Sequence, residues 1–163
     1  MADKIPTTMA TRMLDAEGVQ YVPRPYRYEE RGGTAVSSRE LGVSEHDVVK
    51  TLVMEDEKRA PLIVLMHGDC EVSTKTLARL MGVKSVSPCR PEVAEKHSGY
   101  QVGGTSPFGT KRPMPVYLQK SVLECARVYI NGGHRGFLVE LDPNEIVRVL
   151  KPTLVDVALP AGA

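Results

Sequence analysis

The chain has no apolar run long enough to cross a membrane. Its longest, Pro61 to Met66, is of strand length, against the roughly 20 residues that a spanning helix needs. Cysteine is scarce. Cys70, Cys89 and Cys125 stand far apart and no Cys-x-x-Cys pair occurs, so neither a disulfide scaffold nor a structural zinc site is expected. Met1-Ala2-Asp3-Lys4 lacks the charged-then-apolar layout of a secretory signal. The expected setting is a reducing cytoplasm. Net charge is also nearly absent, at +1, which argues against a strong sequence-independent nucleic-acid binder. Internal repeats, coiled-coil heptads and low-complexity runs are missing. His46, His67, His97 and His134 show no HxxxH or HExxH spacing, and there is no GxSxG elbow and no Walker loop. A zinc protease, an α/β-hydrolase and a P-loop enzyme therefore have no support, and no metal or cofactor is expected.

What is present is the material of one domain. The 163 residues are 42% hydrophobic and 25% charged, enough for one core and too few for two full domains. The near-neutral total hides an asymmetry. From Lys84 to Arg135 eight Lys/Arg face three acids, a local charge of +5, while the remainder carries −4. This is either a solvated face or a surface for a ligand with a few phosphates.

Thr7 to Glu17 reads as a helix with Met9, Met13 and Ala16 on one face and Gly18 at its stop. Tyr21-Val22-Pro23 reads as an edge strand, because proline forbids a central position. Arg31-Gly32-Gly33 reads as a loop, Ser37 to Leu41 as a short helix, and Ser44 to Asp47 as a capped turn. Val48–Met54 and Pro61–Met66 are the clearest strands, joined by the polar loop Glu55 to Arg59. A helix over Ser73–Met81, a brief strand over Val83–Val86 and a helix that opens at Arg90-Pro91-Glu92 and ends before Gly99 follow. Strands are expected at Pro115–Leu118, Arg127–Asn131 and Gly136–Leu141. Asp142-Pro143-Asn144-Glu145 then opens a last helix. Strands and helices mix without regular alternation. The expected fold is a single mixed α/β domain around a central, partly closed mixed or antiparallel sheet.

Three features carry chemistry. Lys50 stands in mid-strand with apolar residues on both faces, so its ammonium must meet an anion or snorkel; a lysine guarding an edge strand is the plain alternative. Gly99-Tyr100-Gln101-Val102-Gly103-Gly104-Thr105-Ser106-Pro107-Phe108-Gly109 lies in a 17-residue irregular segment, Gly99 to Pro115, with four glycines and three prolines. Adjacent glycines let backbone approach a ligand and aim N–H groups at an anion, though a tight structural crossing uses the same residues. Asn131-Gly132-Gly133-His134-Arg135-Gly136 is a second glycine loop, or a plain hairpin. Cys70 and Cys89 have no neighbours that mark a lowered thiol pKa, so they read as structural thiols. Tyr26 and Tyr28 share a face and either line a pocket or pack.

Together, Val49-Lys50-Thr51-Leu52-Val53, the Gly99–Gly109 loop and Asn131-Gly132-Gly133-His134-Arg135-Gly136-Phe137 resemble the YbaK/EbsC family of aminoacyl-tRNA deacylases, which is related to the editing domain of bacterial prolyl-tRNA synthetases. The resemblance covers residues 8–158, leaving 1–7 and 159–163 as expected flexible termini. It implies a pocket in which Lys50, Gly103 and Gly104 act on the ester. Substrate contacts are implied for Tyr26, Thr51, Gly99, Tyr100, Thr105, Ser106, Pro107, Phe108, Gly109, Gly133, His134 and Arg135. The implied substrate is a small mischarged amino acid, cysteine first, on tRNA(Pro); alanine or another small residue is the alternative, and a non-catalytic tRNA- or nucleotide-binding module is a further one. A prolyl-tRNA synthetase is an implied partner. Tyr28, Ser98 and Gln119 stand where many members carry histidine, threonine and aspartate.

Overall fold

The computed structural model describes residues 5–161, so the sequence reading of residues 1–4 and 162–163 lies outside the described residues. Helix α1 spans Met9–Ala16, and Thr8 caps it by accepting a hydrogen bond from the Thr11 N–H. It buries Ala10, Thr11 and Leu14, one position round from the expected Met9–Met13–Ala16 face; Met9 stays 39% exposed. β1 (Val22–Pro25) is an edge strand, as its prolines require. The expected Arg31–Gly33 loop is shorter than predicted, because α2 begins at Gly33 and runs to Leu41. A 3-10 turn over Glu45–Asp47 leads into β2 (Val48–Asp56).

β3 (Pro61–His67) is buried along its whole length. Its alternation divides the apolar run between two cores: Ile63 and Leu65 join one, while Leu62, Val64 and Met66 join the other. β4 (Cys70–Val72), α3 (Thr74–Met81), β5 (Val86–Pro88) and α4 (Pro91–Ser98) follow. After the long irregular segment come β6 (Val116–Gln119), a 3-10 turn over Lys120–Glu124, β7 (Val128–His134), β8 (Phe137–Leu141), α5 (Pro143–Leu150), β9 (Thr153–Val155) and β10 (Ala158–Pro160). The short strands β4, β9 and β10 give no sequence signal, since three residues are too few to show alternation and their partners are distant.

The main sheet is mixed, with order β1-β8-β7-β2-β3-β6-β9 and β5 also paired to β2. β2 runs parallel to β7, and β3–β6 and β6–β9 are parallel; the other pairs are antiparallel. β10 and β4 form a separate ribbon that carries regular backbone to Pro160, two residues past the boundary drawn at 158. α1 and α5 cover the face that holds Leu14, Phe108 and Ile146, and α3 covers the face that holds Leu77 and Val64.

One feature of this sheet positions the site. β2 has β3 on one edge, while two strands share its other edge. β7 pairs there only with Val48 and Val49, and β5 only with Met54 to Asp56. Between them the edge of β2 from Lys50 to Val53 has no strand beside it.

Candidate active site

A cavity of about 660 Å³ opens at this gap. Every residue from Val48 to Met54 lines it. A strand seen face-on shows alternate residues, so seven in succession mean that the cavity meets β2 edge-on. Tyr26, Tyr28 and the start of α2 form one wall. Pro88, Cys89 and Ala94 also line it, as do Val102, Gly103, Thr105, Asn131 and Arg135.

Lys50 is half-buried at this wall. Among the described residues it forms no ion pair, so no carboxylate among them neutralises its ammonium. That is the arrangement expected of a cation held for a ligand anion or for charge that develops during reaction.

The glycine loop is held from both sides. Gln101 to Gly104 form a turn in which the Gly104 N–H donates to the Gln101 carbonyl at 2.8 Å. This corrects the expectation that Gly104 offers its N–H to a ligand. The Gly103 N–H donates to no protein group among the described residues, and Gly103 lines the cavity. Its φ of +90° demands glycine, and the Tyr28 hydroxyl, 2.8 Å from where a Cβ would stand, would have to shift to admit one. Gly104 needs no positive φ. Its demand is for space, since an added Cβ would lie 2.8 Å from the Arg135 nitrogen and 3.0 Å from the His134 carbonyl carbon.

Asn131 joins the two glycine loops. Its Nδ2 donates to the Gly103 carbonyl at 3.1 Å, and its Oδ1 accepts from the Gly133 N–H at 2.7 Å and the His134 N–H at 3.2 Å. Arg135 adds a bond from Nε to the Val102 carbonyl at 2.8 Å, and its guanidinium lies over the Tyr28 ring, 5.3 Å from the centroid. Single-sequence reading missed Asn131 because it registered only as part of a hairpin.

Of the residues implied for substrate contact, Tyr26, Thr51, Thr105 and Arg135 line the cavity together with Lys50 and Gly103. Apart from Val102, the rest of the glycine loop does not. Phe108 is fully buried in the core. Tyr100 is buried too; its hydroxyl donates to the Phe108 carbonyl at 2.5 Å, and burial pushes its pKa up to about 12. Ser106 is buried with its Oγ accepting from the Phe108 N–H, and Pro107 is buried beside it. These residues anchor the loop because their apolar surface has a core to enter. Gly99 ends α4, Gly109 lies against the Met9 backbone, and Gly133 lies against Tyr100 and Thr8. His134 sits in a separate groove of about 600 Å³ with Pro25 and Phe137, and Arg135 lines both spaces.

The thiols are poor nucleophiles. Cys89 lines the cavity, but burial raises its pKa to about 11; Cys125 is raised to about 12, also chiefly by burial. His46 and His67 lie outside the cavity, their rings stacked 3.7 Å apart. His46 Nδ1, the Asp69 carboxylate and Cys70 Sγ converge within 4.8 Å of one another and are the only such metal-capable group among the described residues. The His46–Asp69 hydrogen bond at 2.9 Å and the Cys70–Asp69 contact at 3.5 Å account for that cluster.

The aminoacyl-tRNA editing domain family matches residues 30–149. The chain belongs to that family. Among its relatives, EbsC of Enterococcus faecalis, provisionally named a Cys-tRNA(Pro)/Cys-tRNA(Cys) deacylase, is 32% identical over 141 residues, 86% of each chain. The proline–tRNA ligase of Thermodesulfovibrio yellowstonii is 38% identical over 71 residues, which is 44% of this chain and 12% of the ligase. Of solved structures, a hypothetical protein superposes with a TM-score of 0.85 at 25% identity, covering 93% of this chain and 99% of that one. A structure provisionally titled a trans-editing enzyme for prolyl tRNA synthetase gives a TM-score of 0.80 at 23% identity over 94% of this chain and 99% of its own, a likeness of fold. The Lys50 strand and the glycine loops fall within the matched editing-domain segment. No helix among the described residues is long and apolar enough to cross a membrane.

Proposed function

We propose that this editing-domain protein is a trans-editing deacylase that cleaves a small mischarged amino acid, cysteine first, from tRNA(Pro). The carrying observation is that Lys50, which has no ion-pair partner among the described residues, and Gly103, whose N–H donates to no protein group among them, line one cavity. An aminoacyl ester is already activated, so no protein nucleophile is required. What it needs is a held carbonyl and stabilisation of the oxyanion. Lys50 and the Gly103 N–H supply positive charge and a donor, while Tyr26 and Arg135 bound the space for the terminal adenosine.

With a cysteine ester, the substrate sulfur attacks its own carbonyl carbon. The new S–C bond replaces the C–O bond to the ribose, the thiol proton goes to the leaving ribose oxygen, and a thiolactone departs. With alanine, water attacks instead and the free amino acid leaves. The +5 segment meets transfer-RNA phosphates without base readout. The working compartment is the cytoplasm, and a prolyl-tRNA synthetase is the source of mischarged substrate.

The test is a deacylation panel with cysteinyl-, alanyl- and prolyl-tRNA(Pro), following loss of label. Cysteinyl-tRNA is expected to clear fastest and prolyl-tRNA to survive. Survival of all three leaves a non-catalytic tRNA-binding module; preference for alanine moves the substrate assignment.

A further inference from the structure

The peptide that carries the Gly103 N–H could face either way, and its surroundings decide which. Gln101 to Gly104 form a β-turn closed by the Gly104 N–H on the Gln101 carbonyl at 2.8 Å. Val102 and Gly103 are its two central residues. Gly103 has a φ of +90° while Val102 lies at negative φ, which makes the turn type II. A type I turn would keep the same four residues and the same closing bond; it differs by reversal of the central peptide. Glycine in the third position adopts either sign of φ with ease, so the turn's own residues leave the choice open.

Side chains from the second glycine loop close it. Arg135 Nε donates to the Val102 carbonyl at 2.8 Å, and that carbonyl belongs to the same peptide as the Gly103 N–H. A trans peptide is planar, with its C=O and N–H pointing in opposite directions. The bond therefore turns the Gly103 N–H away from the guanidinium, where it meets no protein acceptor among the described residues. Asn131 holds the following peptide by donating from Nδ2 to the Gly103 carbonyl at 3.1 Å. Arg135 is itself held, with its guanidinium over the Tyr28 ring, 5.3 Å from the centroid. It forms no ion pair among the described residues, so no carboxylate among them competes for it. Reversing the peptide would break the Arg135 bond and put the Val102 carbonyl where the N–H now stands. A developing oxyanion would then meet the negative end of a peptide dipole in place of a donor.

We propose that Arg135 is a positioning residue: it holds the 101–104 turn in its type II form, so that an N–H and not a carbonyl is directed at the ester. This role rests on the editing reading above, in which the Gly103 N–H is a donor to the oxyanion. It differs from a contact to RNA phosphate in what it asks of the side chain. A phosphate needs positive charge, which lysine also supplies. The Val102 carbonyl needs a donor at the Nε position, where lysine has a methylene.

The experiment pairs NMR with single-turnover kinetics on the wild-type protein, Arg135→Lys and Arg135→Met. The ψ angle of the second turn residue is about +120° in type II and about −30° in type I. The Gly103 amide proton of the wild type should therefore show a strong NOE to the Val102 Hα and a weak one to the Val102 amide proton; the reverse pattern overturns the proposal. Both variants should melt near the wild type and shift toward that reverse pattern. Their kcat on cysteinyl- and alanyl-tRNA(Pro) should fall at least about tenfold, the scale of one hydrogen bond from a charged donor, and KM should change little in Arg135→Lys. Full activity in Arg135→Lys, or a loss confined to KM in Arg135→Met, marks a phosphate contact and overturns the positioning role while the editing reading stands. A fall in kcat with the wild-type NOE pattern does the same. No turnover of any ester by the wild-type protein overturns the editing reading and the inference with it.

Discussion

Replacing Gly104 by alanine separates the glycine loop's role in the site from its role in the fold. The new Cβ would stand 2.8 Å from the Arg135 nitrogen, 3.0 Å from the His134 carbonyl carbon and 3.2 Å from its Cα. All three are backbone atoms, so no side chain can swing away. Comfortable carbon contacts begin near ~3.5 Å, and the loop must therefore retreat by about 0.5–1 Å. Gly103 moves with it, against the Asn131 Nδ2 bond that fixes its carbonyl. Overpacking of this kind costs about 1–3 kcal/mol, or roughly 2–12 °C in the melting temperature of a domain this size. A displacement near 1 Å at reacting groups costs about 100-fold in rate. The expected outcome is a folded protein, modestly less stable, with kcat/KM for aminoacyl-tRNA down about two orders of magnitude. Gly18→Ala is the control. Its φ of +66° makes alanine cost about 1–2 kcal/mol, yet nothing lies within 4 Å of the added Cβ and Gly18 does not line the cavity. The two variants should melt comparably and differ sharply in deacylation. Full activity in folded Gly104→Ala would refute the reasoning, as would equal losses in both.

Lys50→Ala is expected to lower deacylation by at least about 100-fold, the usual loss when one oxyanion-stabilising group is removed, with little change in the melt because Lys50 forms no ion pair among the described residues; wild-type turnover in the folded variant contradicts the assignment. The Cys70→Ser/Cys89→Ser/Cys125→Ser protein should still clear cysteinyl-tRNA and should clear seryl-tRNA far more slowly, because the thiol that reacts belongs to the substrate. Alkylation of wild-type Cys89 should also stay slow at pH 8, since its pKa stands near 11; loss of activity in one folded single-cysteine variant would instead point to a protein nucleophile. Stability should fall as pH drops below the ordinary histidine value of about 6.5. Burial lowers the His67 pKa, so the unfolded chain takes up the proton first and gains from acid, and the loss deepens until pH passes the folded-state pKa. His97 is lowered in the same direction, so His67→Gln should reduce the slope of melting temperature between pH 7 and 5 without abolishing it; an unchanged slope removes His67 from the account.

Much of this arrangement was readable in the chain alone. Val48 to Met54 is a valine-rich apolar run of strand length, Asp142-Pro143-Asn144-Glu145 starts a helix by local capping chemistry, and a glycine-rich segment without periodicity is a loop in any fold. The charged lysine among apolar neighbours, with the two glycine loops, was enough to name a family and a pocket. These signals are local, and each is carried by residues within a few positions of one another. Tertiary structure decided what depends on residues far apart. That β7 and β5 share one edge of β2 and leave Thr51 between them follows from strand pairings that span up to about 80 positions of sequence, which no window of the chain contains. The same holds within the glycine loop. Gly103 faces the cavity while Tyr100 and Phe108 turn into the core, because the aromatic rings have apolar partners there and Gly103 has the polar side chains of Tyr28, Arg135 and Asn131 beside it. A motif read as one contact surface is thus divided by packing into a short reactive rim and a longer buried anchor, since burial is a property of the surroundings that assemble around a residue and not of the residue itself.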